Sequence, residues 1–233
     1  MNDHPLISIV IPVLNESASI QALVRHLRAL PGGNGAEVIV VDGDPAGSTL
    51  AALDDGPVVQ LTAPRGRGLQ MNAGAAVARG EVLLFLHADC RLPDTALDDI
   101  RTLLSRPGVA AGAFRLSFDN PGMVYRAMSW VVSVKTRLGR SPYGDQGIFL
   151  RKAYFDEIGG FAPVRIMEDV ELTRRIRRRG DRLVLSESTI VTSARRMESE
   201  GLARRVAKNG WMLTLFSLGV PPAKLERFYP PAP

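Results

Sequence analysis

Leu6-Ile7-Ser8-Ile9-Val10-Ile11-Pro12-Val13 is a short, β-branched apolar run that stops at Asn15-Glu16-Ser17. A run of that length without polar alternation predicts a strand buried on both faces, as in a parallel sheet. Outward from it the pattern repeats. Ser17 is placed to cap a helix in which Ile20, Leu23, Val24, Leu27 and Leu30 recur at helical spacing, and Pro31-Gly32-Gly33-Asn34-Gly35 ends it. Residues 37–42 read as a second strand, 48–53 as a short helix, 57–61 as a third strand, 67–78 as an alanine-rich helix, 81–87 as a fourth strand and 93–105 as a further helix. Strands alternating with helices predict an α/β fold, a mostly parallel central sheet flanked by helices. In such sheets ligands sit beyond the carboxyl ends of the strands. Here those ends carry Asn15-Glu16, Asp42 and Asp89.

The second half is less regular. It predicts a strand over 109–118, an amphipathic helix over 123–138, a strand over 146–150 after the turn Pro142-Tyr143-Gly144-Asp145, and a helix over 152–158 stopped by Gly159-Gly160. A helix over 168–179 follows, with acids in its first turn and arginines in its last, as the helix dipole favours. Two short strands (183–185 and 190–191), a long final helix (201–218) and a loose tail (221–233) complete the reading. The 233 residues suit one domain, with a nucleotide-binding half over about 1–110 and an acceptor and catalytic half over about 111–220.

A single cysteine, Cys90, rules out an internal disulfide and fits a reducing compartment. Met1-Asn2-Asp3-His4-Pro5 lacks the basic flank and apolar core of a secretory leader, and no apolar stretch approaches the roughly 20 residues of a membrane span. A cytoplasmic protein is expected. Net charge is +5, but residues 1–110 carry −4 and residues 111–233 carry +9. The basic half suits a phosphate-bearing ligand or an acidic membrane surface, or is a solvated arginine-rich face. Nucleic acid is not expected, because the basic stretches lack interleaved aromatics.

Several polar residues carry candidate chemistry. Arg65 and Arg67 flank a glycine just before a helix, where guanidinium groups and a helix N-terminus suit an anion. Asp42 can accept from a base N–H or a ribose hydroxyl, although Asp42-Gly43-Asp44-Pro45 is also good turn chemistry. Asn15 and Glu16 are read in the same way. Asp145 is placed to accept sugar hydroxyls. Glu168 and Asp169 complement a helix dipole or place a carboxylate near an acceptor hydroxyl.

Ile9-Val10-Ile11-Pro12-Val13-Leu14-Asn15-Glu16, Val40-Val41-Asp42-Gly43, Phe85-Leu86-His87-Ala88-Asp89 and Gly159-Gly160-Phe161 followed by Glu168-Asp169 resemble, in order, the motifs of family-two glycosyltransferases, which have the GT-A fold. Arg65-Gly66-Arg67-Gly68-Leu69-Gln70-Met71-Asn72, Leu86-His87-Ala88-Asp89, Tyr143-Gly144-Asp145-Gln146 and Met167-Glu168-Asp169-Val170-Glu171 resemble a small soluble subgroup of that family. The resemblance implies a nucleotide-diphosphate sugar as donor, UDP- or GDP-linked, and a divalent cation, Mg²⁺ or Mn²⁺, on Asp89. It implies Asp169 as general base with Glu168 beside it. Substrate contacts are expected at Pro12, Asn15, Glu16, Asp42, Arg65, Arg67, Asn72, His87, Asp145, Arg195 and Arg196. Two departures stand out. Relatives place two acids around one residue where this chain has His87-Ala88-Asp89, so His87 is open to three readings: metal ligand, phosphate or sugar contact, or packing residue. Met197 follows Arg195-Arg196 where larger relatives have tryptophan.

The expected activity is therefore inverting transfer of a sugar to an acceptor hydroxyl. A nucleotidyltransferase is the nearest enzymatic rival, but such enzymes carry a basic glycine-rich loop directly after the first strand. A non-catalytic binder of nucleotide sugars or lipid head groups is the rival from another class. The final helix sets Trp211, Leu213, Leu215, Phe216 and Leu218 beside Arg204, Arg205 and Lys208. Core packing accounts for its apolar part, with peripheral contact at the inner face of a membrane or a cover over the acceptor site as the alternatives. The acceptor and a homo-oligomeric state are left open by the sequence.

Overall fold

The structure, a computed structural model, describes residues 6–54, 56–139, 141–164 and 166–225 together with Phe228. Its strands are β1 (Ile7–Val13), β2 (Glu37–Asp42), β3 (Val58–Thr62), β4 (Val82–Phe85), β5 (Cys90–Arg91), β6 (Val109–Phe118), β7 (Ile148–Arg151) and β8 (Arg182–Thr192). Its helices are α1 (Ile20–Ala29), α2 (Arg67–Val77), α3 (Ala96–Leu104), α4 (Met123–Gly139), α5 (Lys152–Glu157), α6 (Glu168–Arg178), α7 (Arg195–Glu200), α8 (Leu202–Ser217) and α9 (Pro222–Leu225).

The strands form one sheet in the order β3-β2-β1-β4-β7-β6-β8-β5. β1 is buried along its whole length, as its unbroken apolar run requires. Its alternate residues serve opposite faces. Ile7, Ile9, Ile11 and Val13 join a core with α1 and α3, whereas Val10 joins a second core with α2, α5 and α6. Pro12 fits this central strand for a geometric reason. Val10 accepts the Leu86 N–H on the β4 side, so the nitrogen of Pro12, two residues on, faces the same side, past the last β1–β4 pair. No ladder bond is lost there.

The sheet is mixed where an all-parallel reading would continue. β7 runs antiparallel to both β4 and β6, and β5 antiparallel to β8, while β6 and β8 pair in parallel. This reversal positions the site. The carboxyl ends of β1, β2, β3, β4, β6 and β8 share one rim, and the amino end of β7, preceded by Gly144-Asp145-Gln146, arrives at that same rim.

Other expectations need correction. The helix after β1 starts at Ile20 without a side-chain cap, and the hydroxyl of Ser19 turns back to the Glu16 carboxylate. Residues 183–191 form one strand, because the polar stretch at 186–188 bulges between Ala113↔Leu185 and Arg115↔Thr189. Two further helices flank the final long one, and Leu225, expected in a loose tail, is fully buried with Ile166, Met212 and Phe216. The remainder of that expected tail, apart from Phe228, lies outside the described residues.

Candidate active site

The rim is held in shape by polar side chains spent on backbone. Gln70, buried on α2, donates through Nε2 to the carbonyls of Val13 and Val41, both at 2.8 Å, tying the ends of β1 and β2 to the Arg65–Arg67 loop. Asp42 is fully buried, and its carboxylate accepts the N–H groups of Asp44 and Thr49, each at 2.9 Å. It organises its own loop, and no oxygen is exposed for a base or ribose. Asn72 is likewise occupied. Its amide donates to the Phe161 carbonyl at 2.8 Å and accepts the Phe161 N–H at 2.9 Å, which fixes α2 to the Gly160-Phe161 turn. Pro12 is buried within β1. Of these three residues, read from the sequence as substrate contacts, Asp42 and Asn72 have side chains engaged with backbone groups and Pro12 is buried.

Beyond the strand ends the functional groups gather. Asn15 is exposed with a left-handed φ of 59°, and the side chain of Glu16 is only 12% exposed. Arg195 and Arg196, at the start of α7, each approach Glu16 to 3.9 Å, so the β8 exit crosses back to the β1 exit. Arg65 is exposed. Arg67 turns inward and pairs through Nε with Glu168 at 2.7 Å, where the Glu168 side chain has no exposure. Gly68 permits this approach, since a Cβ there would lie 3.2 Å from the Glu168 Cβ and 3.1 Å from the Ala162 carbonyl. Burial pushes Glu168 up to about 7 despite the opposing Arg67.

Asp169 sits one residue further on α6. Its Oδ2 accepts the Gly144 N–H at 2.6 Å and its Oδ1 accepts the Val170 N–H at 2.7 Å. Met167, immediately before the acidic pair, adopts a left-handed φ of 64°. A non-glycine residue there is uncommon and marks a segment held by its surroundings. Sequence periodicity carries no signal of this turn. The Gly144 N–H is a functional donor that residue-type reasoning also passes over, although Gly144 lies within the Tyr143–Gln146 stretch singled out above.

Asp89, Asp145 and Asp169 interact electrostatically across the same space. Asp145 is pushed up to about 7 by burial and then by Asp169 and Asp89, with Arg67 opposing. Its Oδ1 is enclosed without a hydrogen-bond partner, as is Nε2 of His87. Burial, reinforced by Arg67, lowers His87 to about 4, so the ring is neutral near pH 7. Cys90, behind Asp89, is a buried thiol held well above its usual range by burial.

These groups line a cleft of about 380 Å³. Arg67, His87, Asp89, Asp145, Asp169 and Arg196 supply its charged and titratable lining, and Leu116, Phe118, Met128, Val131, Val132, Ile166, Val206 and Leu213 its apolar lining. Of the cross-chain candidates, the cleft brings together His87, Asp89, Asp145, Asp169, Arg67 and Arg196, while Arg195 and Glu16 lie on its margin.

The residues fit a divalent cation. Asp169 and Asp89 both raise the Asp145 carboxyl, and one Asp145 oxygen is enclosed without a partner, an environment that a cation would relieve. Among the described residues no three His, Cys, Asp or Glu side chains form a closed cage. Mg²⁺ and Mn²⁺ need only one or two protein carboxylates when phosphate oxygens and water complete their shell. Asp89 and Asp145 are the ligands this arrangement favours.

Known proteins share this architecture. In solved structures, the chain is similar to the mannosyltransferase PcManGT from Pyrobaculum calidifontis in complex with GDP-Man and Mn²⁺, at 21% identity and a TM-score of 0.63, covering 82% of this chain and 57% of that one. It is similar to S. aureus TarS 1-349 at 20% identity and a TM-score of 0.61, covering 81% and 60%. It is similar to GalNAc-T7 with UDP, GalNAc and Mn²⁺ at 16% identity and a TM-score of 0.62, covering 83% and 44%. These likenesses show the GT-A fold. A curated relative, beta-monoglucosyldiacylglycerol synthase of Trichormus variabilis (strain ATCC 29413 / PCC 7937), is 27% identical over 192 residues, 74% of this chain. The chain spans 41% of that relative's length. The model of the family described as glycosyl transferase family 2 matches residues 8–170. With that match covering most of its length, the chain belongs to glycosyl transferase family 2.

Proposed function

We propose that the protein transfers a sugar from a nucleotide-diphosphate sugar to an acceptor hydroxyl, with inversion at the anomeric carbon. The observation that carries this reading is the convergence of Asp89, Asp145 and Asp169 with Arg67 and Arg196 in one cleft at the strand-end rim. The mannosyltransferase neighbour binds GDP-Man, the GalNAc-T7 neighbour holds UDP, and the relative is a synthase of a glucosylated lipid. These support a nucleotide-sugar donor and leave the base and sugar unassigned.

In this reading Asp169 accepts the proton of the acceptor hydroxyl. The Gly144 and Val170 N–H groups fix its carboxylate, and each oxygen keeps a further lone pair for that proton. The acceptor oxygen then bonds to the anomeric carbon as the bond to the diphosphate breaks on the opposite face. The nucleoside diphosphate leaves. Arg67 and Arg196 offset the charge that develops on it. A divalent cation on Asp89 and Asp145 supplies further neutralisation of that charge when bound. Glu168 holds Arg67 in the cleft, and neutral His87 offers an unpartnered nitrogen to a sugar or phosphate oxygen.

The test is calorimetric titration with UDP and GDP in the presence of Mn²⁺, paired with measurement of diphosphate release from a panel of UDP- and GDP-sugars. The native protein should bind at least one nucleotide in a metal-dependent way, and Asp89→Ala should abolish that dependence. Equal affinity in the variant would remove Asp89 from the site. Absence of both binding and turnover with every donor would overturn the donor assignment.

A further inference from the structure

α4 is the most exposed long helix of the fold, with Thr136 its single buried residue. That residue fastens it to the site, because the Thr136 hydroxyl donates to Gln146 Oε1 at 3.0 Å and Gln146 adjoins Asp145. The helix uses its faces differently. Tyr125, Met128 and Val132 pack on the core, while Met128, Val131, Val132 and Lys135 line the cleft. Met123, Ala127, Trp130, Val134 and Leu138 recur every three to four residues and therefore form one stripe. In that stripe Met123 is 84%, Trp130 67% and Leu138 81% exposed. Val131, 54% exposed, joins the stripe to the cleft wall. On α8, Val206 also lines the cleft, and Val206 and Trp211 are both about half exposed.

We propose that α4 seats the protein on an anionic bilayer, and that the acceptor hydroxyl belongs to a lipid whose hydrocarbon runs from this stripe along Val131 and Met128, which line the cleft. Charge selects this occupant over a second copy of the chain. α4 carries Arg126, Lys135 and Arg137 and no acidic residue. A two-fold pairing of α4 with itself would set like charges together, whereas anionic head groups complement them. An apolar stripe with Trp, Met and Leu between basic flanks is the pattern of a helix lying in the membrane interface. Among the described residues no helix is long and apolar enough to cross a membrane. Val131, exposed on α4, lines the same cleft as Asp169, which connects the stripe to the site.

The seating stands independently of the transferase reading, and the lipid acceptor rests on it. Sedimentation with phosphatidylglycerol vesicles, without any nucleotide sugar, tests the first. Native protein should co-sediment in a salt-sensitive way and should not do so with phosphatidylcholine. Arg126→Gln with Arg137→Gln should weaken partitioning about thirtyfold, and Trp130→Ser with Leu138→Ser should weaken it about tenfold or more. Unchanged partitioning in both variants, no binding by the native protein, or a dimer in solution that Trp130→Ser with Leu138→Ser abolishes would overturn the seating. The second arm supplies labelled UDP- and GDP-sugars with the same vesicles, and the label should enter the chloroform-extractable fraction. Diphosphate release with all label left in water would overturn the lipid acceptor alone. No diphosphate release from any donor would sink the transferase reading, and the lipid acceptor with it, while leaving the sedimentation result intact.

Discussion

Gly144 donates its backbone N–H to Oδ2 of Asp169 at 2.6 Å, and the space beside it is already taken. A Cβ at 144 would stand 2.7 Å from Nε2 of His87 and 3.3 Å from the same Asp169 oxygen. One backbone position thus sets the spacing between the β4 exit and the start of α6.

Gly144→Ala should therefore displace His87 and Asp169 together. Overpacking of this kind costs about 1–3 kcal/mol, which lowers the melting temperature of a chain this size by roughly 2–10 °C. Turnover should fall by more than about tenfold, because a displacement of a few tenths of an ångström acts on the reacting groups themselves. Parallel measurement of melting and diphosphate release checks this. A fall in melting temperature with native turnover would show that the Gly144–Asp169 contact is structural alone.

Much of this frame was legible in the sequence, for physical reasons that differ by element. The β2 run matches its expected bounds because Val38, Ile39, Val40 and Val41 fill a sheet buried from both sides, and β6 because Phe114, Leu116 and Phe118 are buried in alternation with partly exposed Arg115 and Ser117. Residues 186–188 misled because a polar bulge and a strand break have the same composition. β5 has two residues, and α7 buries none, so neither leaves a periodicity to detect. At the site, residue types identified acids and arginines at the strand ends. They did not separate Asp42 and Asn72, spent on backbone N–H and C=O groups, from Asp89 and Asp145, which face the cleft. In the final helix core packing holds for Phe216 and Leu215, whereas Trp211 is 47% and Leu218 76% exposed.

Arg67→Ala should leave Glu168 buried without its 2.7 Å ion-pair partner. Removing one member of a buried pair costs up to about 3–5 kcal/mol. Glu168, already at about 7 in the native protein, has an outlet: it takes up a proton. The destabilisation should accordingly shrink as pH falls from 8 to 5, and Arg67→Ala with Glu168→Gln should melt above Arg67→Ala at pH 8. A pH-independent loss, equal in single and double variants, would mean that Arg67 stabilises the fold through other contacts.

Asp145 makes the metal-free protein sensitive to pH. Its carboxyl is raised from 3.8 to about 7 on folding, so between these values the folded state binds the extra proton. The stabilisation from that proton is fully present below about 3.8 and is lost as pH rises through about 7. With chelator present, the melting temperature of the native protein should fall between pH 5 and pH 8 more steeply than that of Asp145→Asn. Mn²⁺ should flatten the native profile by favouring the ionised carboxylate. Parallel profiles for the two proteins in chelator would show that Asp145 does not hold a proton in the fold.

Asp169→Asn separates a general base from a helix-start acid, provided turnover is read apart from stability. Both carboxylate oxygens accept backbone N–H groups, Oδ2 from Gly144 and Oδ1 from Val170. Asparagine has one oxygen and one amide NH₂, so either orientation sets NH₂ against an N–H donor. One buried bond is lost at a cost of about 1–3 kcal/mol, and the melting temperature falls by roughly 2–10 °C whatever the residue's chemical role. Nucleotide affinity should change little, since Asp169 is assigned to the acceptor side. The rate decides. Loss of a general base is worth about 10²–10⁴ in turnover, whereas a dipole-complementing acid contributes only about 0.3–1 kcal/mol of stability and nothing to proton transfer. Transfer rate, nucleotide titration and melting on the variant and its parent resolve the two. A variant that melts lower but turns over at nearly the native rate would make Asp169 a helix-start residue. The proton acceptor would then be sought at Asp145 or Glu168, whose carboxyl groups burial raises to about 7.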